Sequence, residues 1–142
     1  MLNMLNGIKL TKLTDATGAG TSTINGGIVD MAGYEGVIFF TNLATANSGN
    51  LIKVQQGQAS NLSDAADLAG SGQTSGASDE VVAVDVFKPL ERYLRPVIVR
   101  GASTTIGEIW AMQYGCRSRP QSNVVSGTIN SRTLVSPAEG TA

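Results

Sequence analysis

The sequence predicts an all-β protein, a single antiparallel β-sandwich followed by an extended C-terminal arm. Apolar residues occur in short blocks that are rich in β-branched types and are separated by Gly, Asn, Ser and Thr, which is typical of antiparallel strands. Helical periodicity is almost absent, and the pattern of blocks ends after Gly115. The length of 142 residues suits one domain.

Seven segments carry the strand pattern, which is enough for a sandwich. They are residues 7–14, 27–31, 37–42, 51–56, 81–87, 93–100 and 105–114. Glycine-rich segments between them, at 17–21, 46–50 and 70–78, are predicted to be loops. A single helical turn is predicted over residues 63–68, with Ser63 as its N-cap and Gly70 after its end.

Alternation is clearest in residues 51–56, where Ile52 and Val54 are predicted to face the core while Lys53 and Gln55 face solvent. In residues 81–87 the even-numbered valines form one face. Both strands are therefore expected in sheets that are covered on one side.

Pro96 lies inside the strand predicted over residues 93–100. A proline has no N–H to donate to a neighbouring strand, so this strand is predicted to lie at a sheet edge or to carry a bulge. Such an edge is a place where another subunit can dock.

Three arginines flank this predicted edge strand: Arg92, Arg95 and Arg100. Their spacing places neighbours on opposite faces, so they do not form one patch. They are interpreted as surface residues paired with Glu91 or Glu35, with contact to the carboxylates of a partner as the alternative.

The chain divides into residues 1–26, a possible first strand or arm, residues 27–115, the sandwich body, and residues 116–142, the C-terminal arm. Its charge is uneven, with 3 Lys against 8 Asp and Glu in residues 1–87 and 7 Lys and Arg against 3 Glu in residues 88–142. The basic residues alternate with apolar ones and few aromatic residues accompany them, so no nucleic-acid partner is expected.

The composition argues against an enzyme. The chain has no histidine, which removes triads and histidine general bases. Cys116 is the single cysteine, so neither an intrachain disulfide nor a zinc site is expected, and no cofactor is predicted. A secretory leader and an apolar run of membrane-spanning length are also missing from the sequence, and no membrane partner is expected.

Trp110, Met112 and Tyr114 are two residues apart and are predicted to share one face of the last strand. The favoured interpretation is core packing. An aromatic surface that stacks on sugars is the alternative.

The arm is predicted to be the functional element. It is long and has few charges, and its apolar residues recur, whereas disordered tails are usually charged and poor in β-branched residues. Ordering on a partner is therefore favoured over a disordered tail. The residues expected at this interface are Arg117, Arg119, Pro120, Val124, Val125, Ile129, Leu134, Val135 and Pro137.

Four runs in a fixed order carry a resemblance to a known family. They are VDMAGYEGVIF at 29–39, LIKVQQ at 51–56, RYLRPV at 92–97 and LVSPAEGTA at 134–142. Together they resemble small structural proteins of tailed bacteriophages, namely capsid decoration, or cement, proteins. Residues 1–26 take no part in this resemblance.

The resemblance implies a jelly-roll sandwich that forms a homotrimer on the outer surface of the virion, with its arm crossing subunits of the major capsid protein. Assembly is then expected in the cytoplasm of the bacterial host. A thin core, with aromatic residues at 5%, also favours oligomerisation. The alternatives are a neck or head-tail attachment protein and a carbohydrate-binding sandwich on the virion surface.

Overall fold

The protein is described by a computed structural model that covers residues 3–142. These residues form one helical turn, α1 (Met4–Gly7), and twelve strands: β1 (Lys9–Thr14), β2 (Thr17–Gly20), β3 (Ile24–Asn25), β4 (Val29–Asp30), β5 (Gly36–Leu43), β6 (Asn47–Gly57), β7 (Ala66–Asp67), β8 (Gln73–Ser75), β9 (Glu80–Phe87), β10 (Tyr93–Arg100), β11 (Thr104–Ile106) and β12 (Ile109–Tyr114). The all-β prediction is confirmed. No helix within residues 3–142 has the length and apolar character that crossing a membrane requires.

The strands form two antiparallel sheets with four positions each. In the first sheet β9 lies at one edge and β5 is next to it. β11 and β12 share the third position, and β2 and β1 share the outer position beside them. In the second it is β7 with β8, β6, β10, and β3 with β4. This is the strand order of a jelly roll, so that part of the expectation is also confirmed.

The core lies between the two sheets and is built by alternation along each strand. Ile52 and Val54 are fully buried, as predicted, and Val82 begins the inward face of β9. Phe39 is the largest fully buried side chain, and the remaining core residues are mostly Val, Ile and Leu. Residues of both sheets thus meet in one apolar layer.

The edge position predicted for β10 is wrong, because this strand lies inside its sheet. It pairs with β6 on one side over its full length and with β3 and β4 on the other. The neighbour is interrupted beside Pro96, whose carbonyl accepts the N–H of Gly26 at 2.8 Å. Asn25 pairs with Val97 and Val29 pairs with Leu94, so the neighbouring segment advances four residues where β10 advances three. The extra residue, and with it the irregularity, therefore lies in the neighbouring segment.

The helical turn predicted over residues 63–68 is also wrong. Residues 66 and 67 form β7, which pairs with β6, and Asp64 instead accepts hydrogen bonds from the amides of Gln58 and Ala59. All three predicted loops contain strand residues: 17–21 and 70–78 contain β2 and β8, which pair with β11 and β6, and residues 47–50 begin β6. The segment before residue 27 likewise contributes strands to both sheets, β1 and β2 to the first and β3 to the second.

Candidate functional site

The beginning of the predicted arm is held by the body. We call residues 117–123 the clasp. The Arg117 amide donates to the Gly33 carbonyl, and the Gln121 amide donates to the Asn6 carbonyl. Tyr34 and Lys9 add side-chain bonds to Gln121 and to the carbonyl of Ser122. Arg117, Arg119 and Pro120 are exposed on this anchored segment.

Asn123 is the centre of the clasp and is only 3% exposed. Its Oδ1 accepts the amide of Leu10 at 2.7 Å, and its Nδ2 donates to the carbonyls of Leu5 and Ile8 at 2.7 and 3.0 Å. The side-chain amide can form four hydrogen bonds, and it forms three of them. Asn123 therefore joins segments near the two ends of the chain. Sequence reasoning missed this residue, because an isolated asparagine in a polar segment gives no signal.

A tight hairpin follows the clasp. Val125 and Ile129 exchange two backbone hydrogen bonds, and Gly127 occupies the turn at φ +75°. Ile129 is only 9% exposed, so its predicted role in partner contact is wrong, because its side chain is buried in this chain. Val124 and Val125 remain exposed.

The end of the chain is largely exposed and has no helix or strand. We call residues 131–142 the free arm. Within the described residues, no hydrogen bond joins it to the rest of the chain. Leu134 is 63% exposed and Val135 is 87% exposed, and Pro137 is exposed as well. This segment therefore keeps the properties predicted for a partner-binding arm.

Cys116 lies two residues after the end of β12 and is buried. Its Sγ donates to the Gly7 carbonyl at 3.0 Å. Burial raises the pKa of this thiol, and the charge of Arg119 offsets the effect only in part. A thiol of this kind is a structural residue rather than a nucleophile.

Three arginines lie in β10 or just before it, and each has a separate role. Arg92 forms a two-pronged ion pair with Asp30, at 2.9 Å for both bonds, instead of the predicted pairing with Glu91 or Glu35. Asp30 lies directly across the strand pair from Tyr93, which brings it within reach. Arg95 donates to Gln55 at 2.9 Å on the outer face of the second sheet.

Arg100 is buried, at 6% exposure, and its placement at an interface is wrong. The guanidinium donates to the carbonyls of Ser22 and Gly18 at 2.7 and 2.9 Å and to that of Thr104 at 3.0 Å. It therefore fastens the loop after β2 to the body.

Trp110, Met112 and Tyr114 share a face, as predicted, but this face is not in the core. Ile109 and Ala111 take the inward positions of β12, so the other three point to the outside of the first sheet and are half-buried there. A row of side chains runs across this outer face from Trp110 to its partners on the adjacent strands: Phe40, Ala83 and Lys12.

Tyr114 crosses β5 above Gly36, where a Cβ would come closer to its ring than atoms can approach. Its hydroxyl donates to Asp85 on β9 at 2.6 Å, and its ring stacks on Phe87 with centroids 6.5 Å apart. Burial, followed by the bond to Asp85, raises the pKa of Tyr114 to about 12. The glycine thus lets one side chain join three strands.

A spectrophotometric titration checks this arrangement. The pKa of Tyr114 is raised above the ordinary value of 10, so its contribution to stability is present below pH 10 and is lost as the pH rises through about 12. We expect Tyr114→Phe to remove the component that titrates near pH 12. If Tyr114→Phe removes a component near pH 10 instead, the hydroxyl is not held by Asp85.

The described residues contain no group of three or more Cys, Asp and Glu side chains placed to hold a metal ion. Comparisons of the chain with protein families, with curated proteins and with solved structures find no match. The function is therefore argued from the geometry of the free arm, the clasp and the sheets.

Proposed function

We propose that this chain is a bacteriophage virion structural protein, a capsid decoration protein that binds the outer surface of the major capsid lattice and stabilises the shell. The observation that carries the proposal is the free arm, which follows a jelly-roll body, exposes Leu134 and Val135 and forms no hydrogen bond with the rest of the described residues. The resemblance in the order of four sequence runs supports the same role. Catalysis has no part in it.

The arm needs a protein surface of some size. Ordering a residue costs about 1–2 kcal/mol in conformational entropy, and apolar burial returns about 25 cal/mol per Å². Each residue of the arm must then bury some tens of Å². A capsid lattice presents such a surface in many copies, and several weak contacts per particle add up through multivalency.

The clasp changes the reach of the arm. Residues 117–130 are held or folded close to the body, so the extended part is the 12 residues 131–142. At about 3.3 Å per residue this segment spans about 40 Å when extended. That distance is enough to cross one neighbouring subunit, and we place the main contact at Leu134, Val135 and Pro137.

The test is deletion of residues 131–142. We expect the truncated protein to lose binding to undecorated particles in a co-sedimentation assay, while its thermal unfolding stays unchanged because no hydrogen bond to the body is lost. Leu134→Ser with Val135→Ser should give the same loss without shortening the chain, and Leu90→Ser, which removes an exposed apolar side chain of the body, serves as the matched control. Full binding by the truncated form would rule out the arm as the attachment.

A neck or head-tail attachment protein is the alternative from the same setting. Quantifying the protein per particle separates the two, since a decoration protein is present in far more copies than a connector. The carbohydrate-binding alternative stays a prediction, and the half-buried Trp110 on the outer face is the side chain on which it would depend.

A further inference from the structure

Three of the four outer positions of the two sheets are blocked or short. At β1 the amide of Leu10 is already bonded to Asn123, and at β2 the Gly18 carbonyl is bonded to Arg100. The two outer positions of the second sheet hold strands of only two or three residues, β3 with β4 and β7 with β8. The remaining outer strand, β9, runs for eight residues.

The hydrogen-bond pattern shows which groups of β9 are unused. Just beyond the strand, the Lys88 amide donates to the Glu35 carbonyl at 2.7 Å. In an antiparallel pair such bonded positions alternate, so the even-numbered residues of β9 bond to β5. The N–H and C=O groups of Val81, Ala83, Asp85 and Phe87 then point away from the sheet, and no partner for them occurs in residues 3–142.

This edge has few of the features that usually prevent strand pairing. Protected edges are short or carry proline, bulges or charged side chains. The two charged side chains of β9 are both engaged within the chain, since Glu80 accepts the amides of Gly76 and Ala77 and Asp85 accepts the Tyr114 hydroxyl. β9 has no proline, and its pairing with β5 is continuous. Asp85 is turned toward its own sheet by the Tyr114 hydroxyl. Val81 is 63% exposed and Phe87 is 59% exposed, one near each end of the strand.

We propose that β9 pairs antiparallel with β9 of a second copy of this chain, about a two-fold axis at Val84. In this register Val81 of each copy lies opposite Phe87 of the other, and Ala83 lies opposite Asp85. All four outward residues of both strands then form bonded pairs, and each exposed apolar side chain meets an apolar partner. Aliphatic and aromatic residues across a strand pair stabilise each other.

Neighbouring registers fit less well. A shift that places the axis at Asp85 sets two carboxylates opposite each other, which is destabilising. A shift to Ala83 sets Phe87 opposite Asp79 and Val81 opposite Asp85. The axis at Val84 is the register in which both apolar positions are matched.

The strand sequence also favours a second β9 over the free arm as occupant. An arm strand would present Arg132, Leu134 and Ser136 on one face, which supplies one apolar side chain where β9 supplies two, and Pro137 would end the pairing. A ring of three bodies joined edge to edge would need a second open edge on each body, and residues 3–142 offer only β9. The contact is therefore two-fold, unlike the homotrimer that the resemblance implies.

The pairing does not depend on the proposed role in a virion, but it suits one. Seven paired residues per copy, 81–87, make a smaller contact than the about 1,200–2,000 Å² of a standard interface, so we expect a reversible dimer in solution. On a shell the copies are held close together, which raises their effective concentration and favours the contact between neighbours.

The test is the mass of the free full-length chain by sedimentation equilibrium over a concentration series, with Ala83→Pro and Ala83→Ser. Proline at 83 removes an N–H that faces the open edge and leaves the bonds to β5 in place, whereas serine keeps the N–H. We expect reversible dimers for the wild type and Ala83→Ser, and at least about tenfold weaker association for Ala83→Pro. Thermal unfolding checks that the proline variant is folded.

Hydrogen exchange of the wild type gives a second measurement that needs no variant. The amides of Ala83 and Asp85 should exchange more slowly as concentration rises, while those of Val82 and Val84 stay protected throughout. A monomer at every concentration, a trimer, a dimer that Ala83→Pro does not weaken, or an oligomer lost on deletion of the free arm would each overturn the proposal. Shell binding is measured on particles, so either proposal can fail alone.

Discussion

Replacement of Arg100 by alanine is expected to lower the free energy of unfolding by about 3 kcal/mol. The buried guanidinium donates to three carbonyls, those of Gly18, Ser22 and Thr104. Removing it leaves these acceptors without a partner. It also opens a cavity beside Gly20, where a Cβ would lie 3.1 Å from a guanidinium nitrogen. Urea unfolding at constant m-value measures the loss, which corresponds to a melting temperature lower by about 10 °C.

Two further variants separate the forked hydrogen bonding from charge. Arg100→Lys keeps the charge but has no planar fork, so we expect a smaller loss of about 1–2 kcal/mol. Arg132→Ala, on the free arm, removes an exposed arginine and should change stability by less than about 0.5 kcal/mol. If Arg100→Ala is as stable as Arg132→Ala, the guanidinium does not fasten the β2 loop.

The long strands were predictable because each carries its own signal. β5, β6, β9 and β10 alternate apolar and polar residues or are rich in β-branched types, and the predicted range of β10 is the observed one. The two-sheet body follows from them. Period two also set the correct relative faces of Ile52 and Val54 and of Trp110 and Tyr114.

Four of the short strands, β2, β3, β7 and β8, were not predictable from local sequence. β2 is Thr-Gly-Ala-Gly, a composition that indicates a loop, and it is a strand because β11 lies beside it and Arg100 holds its Gly18 carbonyl. Pro96 gave the wrong edge for a related reason. A proline indicates only that one backbone hydrogen bond to a neighbouring strand is missing. The sequence does not show whether that neighbouring strand is absent or is interrupted beside the proline.

The candidate surfaces were predicted in part. Leu134 and Val135 are exposed on the free arm, as expected for a binding segment, whereas Ile129 from the same segment is buried. All three residues had the same signal, an apolar side chain in a segment rich in Ser, Thr and Asn. Which of them is buried depends on the local hairpin at Gly127 and on the clasp, where the bonds of Asn123 join residues more than 100 positions apart and are not revealed by a single sequence.

The clasp leads to the second large prediction. Asn123→Ala is expected to lower the free energy of unfolding by about 2–4 kcal/mol, because the amide of Leu10 and the carbonyls of Leu5 and Ile8 lose their partner together. Asn130→Ala is the matched control. Asn130 is exposed, and its substitution should cost less than about 0.5 kcal/mol.

Limited digestion with trypsin tests whether the loss comes from the clasp itself. In the wild type we expect rapid cleavage after Arg132 on the free arm and slow cleavage after Arg117, whose amide is bonded to the Gly33 carbonyl. Releasing Asn123 should free residues 117–123 and speed cleavage after Arg117, with the rate after Arg132 unchanged. Equal cleavage after Arg117 in both proteins would mean that Asn123 does not hold the C-terminal segment on the body.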